Sequence, residues 1–187
     1  MQKLFRKTFK AISRKLFLLK KQCIEKDYEL EELNAILCSP TKSDLTRVIS
    51  TKTSKGYINN SNIKLIEKID YVTDQKRNKE SICEMIQEFI CNCTLHIRPW
   101  MYEYYIKGKN VRKIAEDAGW ETENLRKRLD KEFKEFILDN ANFKYLLKAC
   151  EKDEMLKVEI KEKTDNDLET IIRLYANYVK ENKIKNE

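Results

Sequence analysis

Only five residues in this chain interrupt helices by backbone chemistry: Pro40, Gly56, Pro99, Gly108 and Gly119. A sandwich or barrel turns about every 8–12 residues and draws on glycine and proline to do so. A chain of 187 residues with three Gly and two Pro has no supply of such turns, so the expected fold class is all-α. That length fits one moderate domain, or a small domain with helical extensions, and not two large ones. Hydrophobic residues make up 41% of the chain, with two Trp, nine Tyr and seven Phe, enough for a core and against disorder.

Several chemistries drop out next. A single histidine, His96, removes most of the acid–base and metal chemistry that imidazole carries. There is no glycine-rich phosphate loop, serine elbow or paired-histidine motif, so no enzyme activity and no cofactor is expected. Cys83, Cys91, Cys93 and His96 invite a zinc reading, but two cysteines one residue apart on an amphipathic helix do not aim at one point. They are expected to be core thiols, and His96 a packed or capping side chain. The six cysteines lack framework spacing, no signal peptide precedes them, and no apolar run approaches a membrane span of about 20 residues. A soluble cytoplasmic protein with reduced thiols and no membrane partner follows. The net charge of +7 and isoelectric point near 9.0 favour polyanionic partners.

Along the chain, residues 1–21 carry eight cations and no acid, interleaved with Leu4, Phe5, Phe9, Ile12, Leu16, Phe17 and Leu19. This predicts a basic amphipathic helix, followed by Glu25, Asp27, Glu29, Glu31 and Glu32 on a broken heptad rhythm through Leu30, Leu33 and Leu37. One long helix is expected to about Leu37, ending at Pro40, able either to pair antiparallel with a copy of itself in a homo-oligomer or to lie across the rest of the chain. Residues 41–62, rich in Ser, Thr, Asn and Lys, read as a linker with one helical turn at residues 44–49. Ser61 is expected to cap a helix with Ile63, Ile66, Ile69 and Tyr71 inward, and Ser81 to open another after polar residues 73–79. Beyond Asn140 two amphipathic helices are expected, residues 143–161 and 165–183, joined by Thr164, Asp165 and Asn166. Their acids, from Glu151 to Glu169, alternate with lysines as on a solvated face laced by i,i+4 pairs, and Tyr175, Tyr178 and Val179 form a packing stripe. The expected layout is an N-terminal helix (1–40), a linker (41–62), a central domain (63–140) and a C-terminal helical extension (141–187).

The informative stretch lies in the centre. Trp100, Met101, Tyr104, Tyr105 and Ile106 form one apolar face that stops at Gly108, residues 111–118 make a short helix, and Gly119 turns the chain into a helix over 121–138. A helix-turn-helix needs a small residue where its helices touch, a glycine at the turn and an apolar plug just beyond it. Ala115, Gly119 and Trp120 stand at those places. The second helix then offers Glu121, Thr122, Glu123, Asn124, Arg126, Lys127 and Arg128 to a major groove, with Lys109 and Arg112 beside it. Arg reads guanine edges bidentately, Asn reads adenine and Glu accepts from cytosine. From Leu95 to Leu138 ten basic residues face eight acids, so this stretch attracts duplex DNA only weakly, and residues 1–21 are expected to add phosphate contacts.

The run from Leu95 to Ile137 resembles the helix-turn-helix of the fourth conserved region of bacterial sigma factors: tyrosines, a short gap, Ile114-Ala115, the turn glycine, then Glu123, Leu125 and Arg126. Over a little more than half of the chain, with Ile66, Ile69, Tyr71 and Phe136, it resembles phage-encoded regulators of the ArpU/RinA type. The resemblance implies sequence-specific binding of double-stranded DNA by residues 121–128, control of a promoter, and RNA polymerase as a candidate partner. Two other classes fit the same helices: a protein-interaction module that inhibits or adapts a host machine, and a terminase-like DNA-packaging subunit whose flanking helices build a ring.

Overall fold

The computed structural model describes residues 1–38, 60–139 and 142–184. They form nine α-helices: α1 (Gln2–Ser13), α2 (Leu16–Cys38), α3 (Asn60–Asn92), α4 (Arg98–Met101), α5 (Val111–Ala118), α6 (Thr122–Asp139), α7 (Asn142–Cys150), α8 (Glu154–Thr164) and α9 (Leu168–Ile184). A π-helical turn, Tyr102–Ile106, continues α4. No strand occurs among the described residues, so the fold is all-α as expected. No helix among them is long and apolar enough to cross a membrane. The expected linker lies mostly outside the described residues, including its helical turn at 44–49.

Two compact units divide the chain: residues 1–20 with 78–187, and residues 21–77. This redraws the expected layout at both ends. The start of the chain is no separate helical arm and residues 141–187 are no extension, because both contribute to one apolar interior. Phe5, Phe9 and Ile12, at helical spacing on α1, are wholly buried. The Phe9 ring lies 4.7 Å from Phe89, 5.1 Å from Tyr105, 5.5 Å from Phe136 and 5.8 Å from Phe133. Phe5 meets Phe143 at 6.1 Å and Tyr175 at 5.6 Å, and the Tyr175 hydroxyl donates to the Ile137 carbonyl at 2.8 Å. The expected C-terminal stripe is thus spent on this core.

Three helix boundaries differ from expectation, each for a tertiary reason. The first helix breaks at Arg14 and Lys15, where the buried Ser13 hydroxyl donates to the Tyr105 carbonyl at 3.1 Å and Lys15 pairs with Glu159 at 2.8 Å. Conversely, α3 runs unbroken for 33 residues through the polar stretch 73–79. That stretch holds no Gly or Pro, and the Thr73 hydroxyl returns to the Ile69 carbonyl at 2.8 Å rather than capping. Ser61 accordingly lies inside a helix that starts at Asn60. Ser81 opens nothing.

The third difference is a break between α7 and α8 within the expected helix 143–161. Asp153 caps α8, its carboxylate accepting from the Leu156 N–H at 3.1 Å, and it also pairs with Lys79 of α3. The expected joint at residues 164–166 is present, with Asp165 left-handed at φ 59° and the Thr164 hydroxyl donating to the Ile160 carbonyl. Of the C-terminal acids, Asp153 and Glu159 find their cations on distant elements rather than at i,i+4.

In the unit of residues 21–77, Leu33 and Val72 are buried, and Lys68–Glu29 at 3.8 Å and Lys76–Asp27 link its two helical segments. The inward face of α3 differs from the expected one, sharing only Ile69 with it. Ile63, Ile66 and Tyr71 are exposed, while Leu65 and Ile69 are half-buried beside Val72.

One side chain of the aromatic core has an unmatched polar atom. Tyr105 is wholly buried, its hydroxyl has no protein partner among the described residues, and burial holds its pKa well above the ordinary tyrosine value. Tyr105→Phe keeps the ring and removes that hydroxyl, so it should leave stability unchanged or raise it by up to about 1–2 kcal/mol in denaturant unfolding. A loss of similar size would show that the hydroxyl is bonded in solution.

Candidate nucleic-acid interface

The site begins at Pro99, which opens α4 in the first turn, where its missing N–H costs nothing. In the π turn that follows, the Lys107 N–H donates to the Tyr102 carbonyl at 3.2 Å, and the Lys109 N–H to the Glu103 carbonyl at 2.9 Å. Met101, Tyr105 and Ile106 turn inward, whereas Trp100 and Tyr104 sit half-buried at the rim. The expected single apolar face is therefore split by the extra residue of the π turn. Gly108 ends the segment at φ +72°, a conformation side chains other than glycine rarely take.

Glu103 ties this turn together by ion pairs to Lys107 at 2.6 Å and Lys109 at 2.7 Å. The hydrogen bonds from Lys107 and then Lys109 hold its carboxyl below the ordinary range, and the same bond from Glu103 raises the Lys109 ammonium. This clamp is present above the ordinary glutamate pKa and is lost as pH falls through the lowered one. Next, Asn110 caps α5, its side-chain oxygen accepting from the Arg112 N–H at 3.1 Å.

The turn itself has the expected parts. Ala115 is wholly buried between α5 and α6, and Gly119 takes φ +66°. The left-handed residue lets the Trp120 N–H return to the Ala115 carbonyl at 2.8 Å, closing the helix end. Leu125, Leu129, Phe133 and Ile137 then bury one face of α6. Trp120 departs from expectation. Its side chain is 37% exposed and stands edge-on to Trp100 at 4.8 Å, because buried Ile114, Ala115 and Leu125 already occupy the interior below the turn. It is a rim residue, not a plug.

The outer face of α6 sorts the expected DNA-binding residues. Glu121, Asn124, Lys127 and Arg128 come together with Trp120 and Lys131 around an open groove of about 640 Å3. Asn124 donates to Glu121 at 2.7 Å, which orients its amide, while Lys127 and Arg128 have no carboxylate partner among the described residues. The others lie elsewhere. Thr122 is half-buried, and Glu123 and Arg126 pair with each other at 2.8 Å away from this groove. Arg112 pairs with Glu116 at 3.1 Å on α5, and Lys109 is held by Glu103. Lys131 was reachable by counting, one turn beyond Lys127 and two beyond Asn124. Trp120 as a lining residue was not, since its spacing fits a plug equally well.

The cysteines divide. Cys83, Cys93 and Cys150 are buried, but Cys91 is exposed, and so is His96, against the expectation of a packed or capping imidazole. The Cys93 thiol donates to the Phe89 carbonyl, and burial, then Glu132, pushes its pKa up to about 12. Among the described residues no cluster of His, Cys, Asp and Glu is arranged to hold a metal ion. No protein-family model, curated protein or solved structure matches the chain.

Proposed function

We propose that the protein is a cytoplasmic regulator that binds double-stranded DNA through a helix-turn-helix of α5 and α6, with α6 entering the major groove. The observation that carries this is the turn: buried Ala115 and left-handed Gly119 hold α6 with Asn124, Lys127, Arg128 and Lys131 all facing outward on one groove. In this reading Arg128 and Asn124 read base edges, Glu121 orients Asn124, and Lys127 and Lys131 hold phosphates. Likeness to the sigma-type helix-turn-helix and to phage late-gene regulators makes promoter control the biological output, with RNA polymerase as a partner.

Selection of bound sequences from a random duplex pool at roughly physiological ionic strength tests it. A recovered motif is expected. Arg128→Ala should then relax preference at one base position at about 1–3 kcal/mol, while Lys127→Ala should weaken all sequences alike and lower the salt slope by about one. No enrichment by a folded protein would reject the reading.

A second reading, a helical adaptor for another protein, is favoured by the exposed Ile24, Tyr28, Ile36, Ile63, Ile66 and Tyr71 of the unit 21–77. It forecasts no duplex affinity at any salt.

A further inference from the structure

Beside the groove on α6, separate parts of the chain bring four cations to one cleft of about 400 Å3: Lys10, Arg14, Lys109 and Arg126, with Tyr104 and Gly108. Like charges repel, so such a gathering needs compensation. Two of the four have it, Lys109 from Glu103 and Arg126 from Glu123. Lys10 and Arg14 have no carboxylate partner among the described residues. This sets them apart from Arg6 and Lys15 on the same stretch, which pair with Asp130 at 2.6 Å and Glu159 at 2.8 Å.

Both unpaired cations are nonetheless held in place. The Lys10 ammonium sits over the Tyr104 ring, 3.5 Å from its centroid. The Arg14 guanidinium, presented where α1 breaks, lies so close to Gly108 that a β-carbon there would stand 3.1–3.2 Å from it. The glycine thus serves twice, for its positive φ and for the room it leaves to Arg14.

We propose that this cleft binds a phosphoryl oxyanion, and that in the working complex the group is a backbone phosphodiester of the duplex read by α6. Guanidinium and ammonium donors around a shallow space suit a tetrahedral oxyanion offering several acceptors. Arg126 precedes Lys127 by one residue, about 100° around the helix, so the cleft flanks the groove rather than forming part of it. The Arg126–Glu123 pair is exposed, and exposed ion pairs hold their partners weakly, so Arg126 can turn to a stronger acceptor. The second half of the proposal rests on the DNA-binding reading; the first does not.

Two probes separate the halves: inorganic tripolyphosphate by titration calorimetry at low salt, and a mixed-sequence duplex over a salt series. Each is applied to the wild type, to Lys10→Gln with Arg14→Gln, and to Lys148→Gln, an exposed cation on α7. The double variant should bind tripolyphosphate about tenfold or more weakly, as expected when charged hydrogen bonds are removed. Its slope of log affinity for duplex against log salt should fall by about two, roughly 0.9 for each phosphate no longer neutralised. Lys148→Gln should change neither. Binding of tripolyphosphate that depends on Lys10 and Arg14, with no duplex binding by the wild type, supports the cleft and overturns the duplex. A double variant with an unchanged unfolding midpoint that keeps tripolyphosphate affinity and salt slope overturns the cleft and leaves the DNA reading standing. Absence of tripolyphosphate binding by the wild type overturns it equally.

Discussion

Removal of residues 1–20 is expected to unfold the larger unit outright, with loss of its cooperative transition in circular dichroism and of its resistance to proteolysis. From the sequence, residues 1–21 are expected to add phosphate contacts to the DNA-binding stretch. Yet Phe5, Phe9, Ile12 and Leu19 are wholly buried and Leu16 nearly so. Burying one such side chain stabilises by about 1.5–3 kcal/mol, and a whole domain is stable by only about 5–15 kcal/mol. Five of them together contribute about 7.5–15 kcal/mol, as much as the whole stability of such a unit. At single-residue scale, Phe9→Ala should cost about 3–5 kcal/mol in denaturant unfolding, because its ring is enclosed by Phe89, Tyr105, Phe133 and Phe136 and none of these can close the gap. Lys7→Ala, exposed on the same helix, is the control and should change little. A loss below about 1 kcal/mol for Phe9→Ala would mean that α1 is not part of the core in solution.

Asp153→Ala should be nearly as damaging, at about 3–5 kcal/mol, although it removes only one small carboxylate. Two separate groups depend on that carboxylate. The Lys79 side chain, 14% exposed, would be left as a charge with no counterpart, and the Leu156 N–H would lose its acceptor at the start of α8. The larger share comes from the stranded charge, since loss of an N-cap alone costs about 0.5–2 kcal/mol. Replacing both partners, Lys79→Met with Asp153→Asn, removes the charges together and keeps a capping side chain. The double variant should therefore be more stable than Asp153→Ala alone. Equal losses in the two proteins would mean that neither the stranded charge nor the lost cap accounts for the effect.

The parts of the site that can be read from the sequence are those set by neighbours a few residues apart. The Asn110 cap, the Ala115 contact, the Gly119 turn and the buried spacing of Leu125, Leu129 and Phe133 all follow from local backbone chemistry and helical period. What escaped reading depends on residues far along the chain. The break after Ser13 is fixed by the Tyr105 carbonyl, and the break before α8 by a lysine on α3. Nothing near Arg14 announces that it will meet Gly108. The polar stretch 73–79 misled for a different reason: Thr, Asp, Gln, Lys and Arg suit a solvated helix as well as a loop, and only glycine or proline would have decided between them. Trp120 shows the same ambiguity in a single residue, because an indole can fill a core or shield a rim.

The aromatic cluster also sets a schedule for the chain's synthesis. Phe5 is made 170 residues before Tyr175, against which it packs at 5.6 Å. Chains elongate at about 5–20 residues per second, so α1 waits many seconds with its phenylalanines uncovered before its partners emerge. The contacts that close the core span nearly the whole sequence, which slows folding relative to a bundle of neighbouring helices. A nascent chain of this protein has no early folded stage containing α1, and during that interval the face of α1 that carries Phe5, Phe9 and Ile12 stays in water.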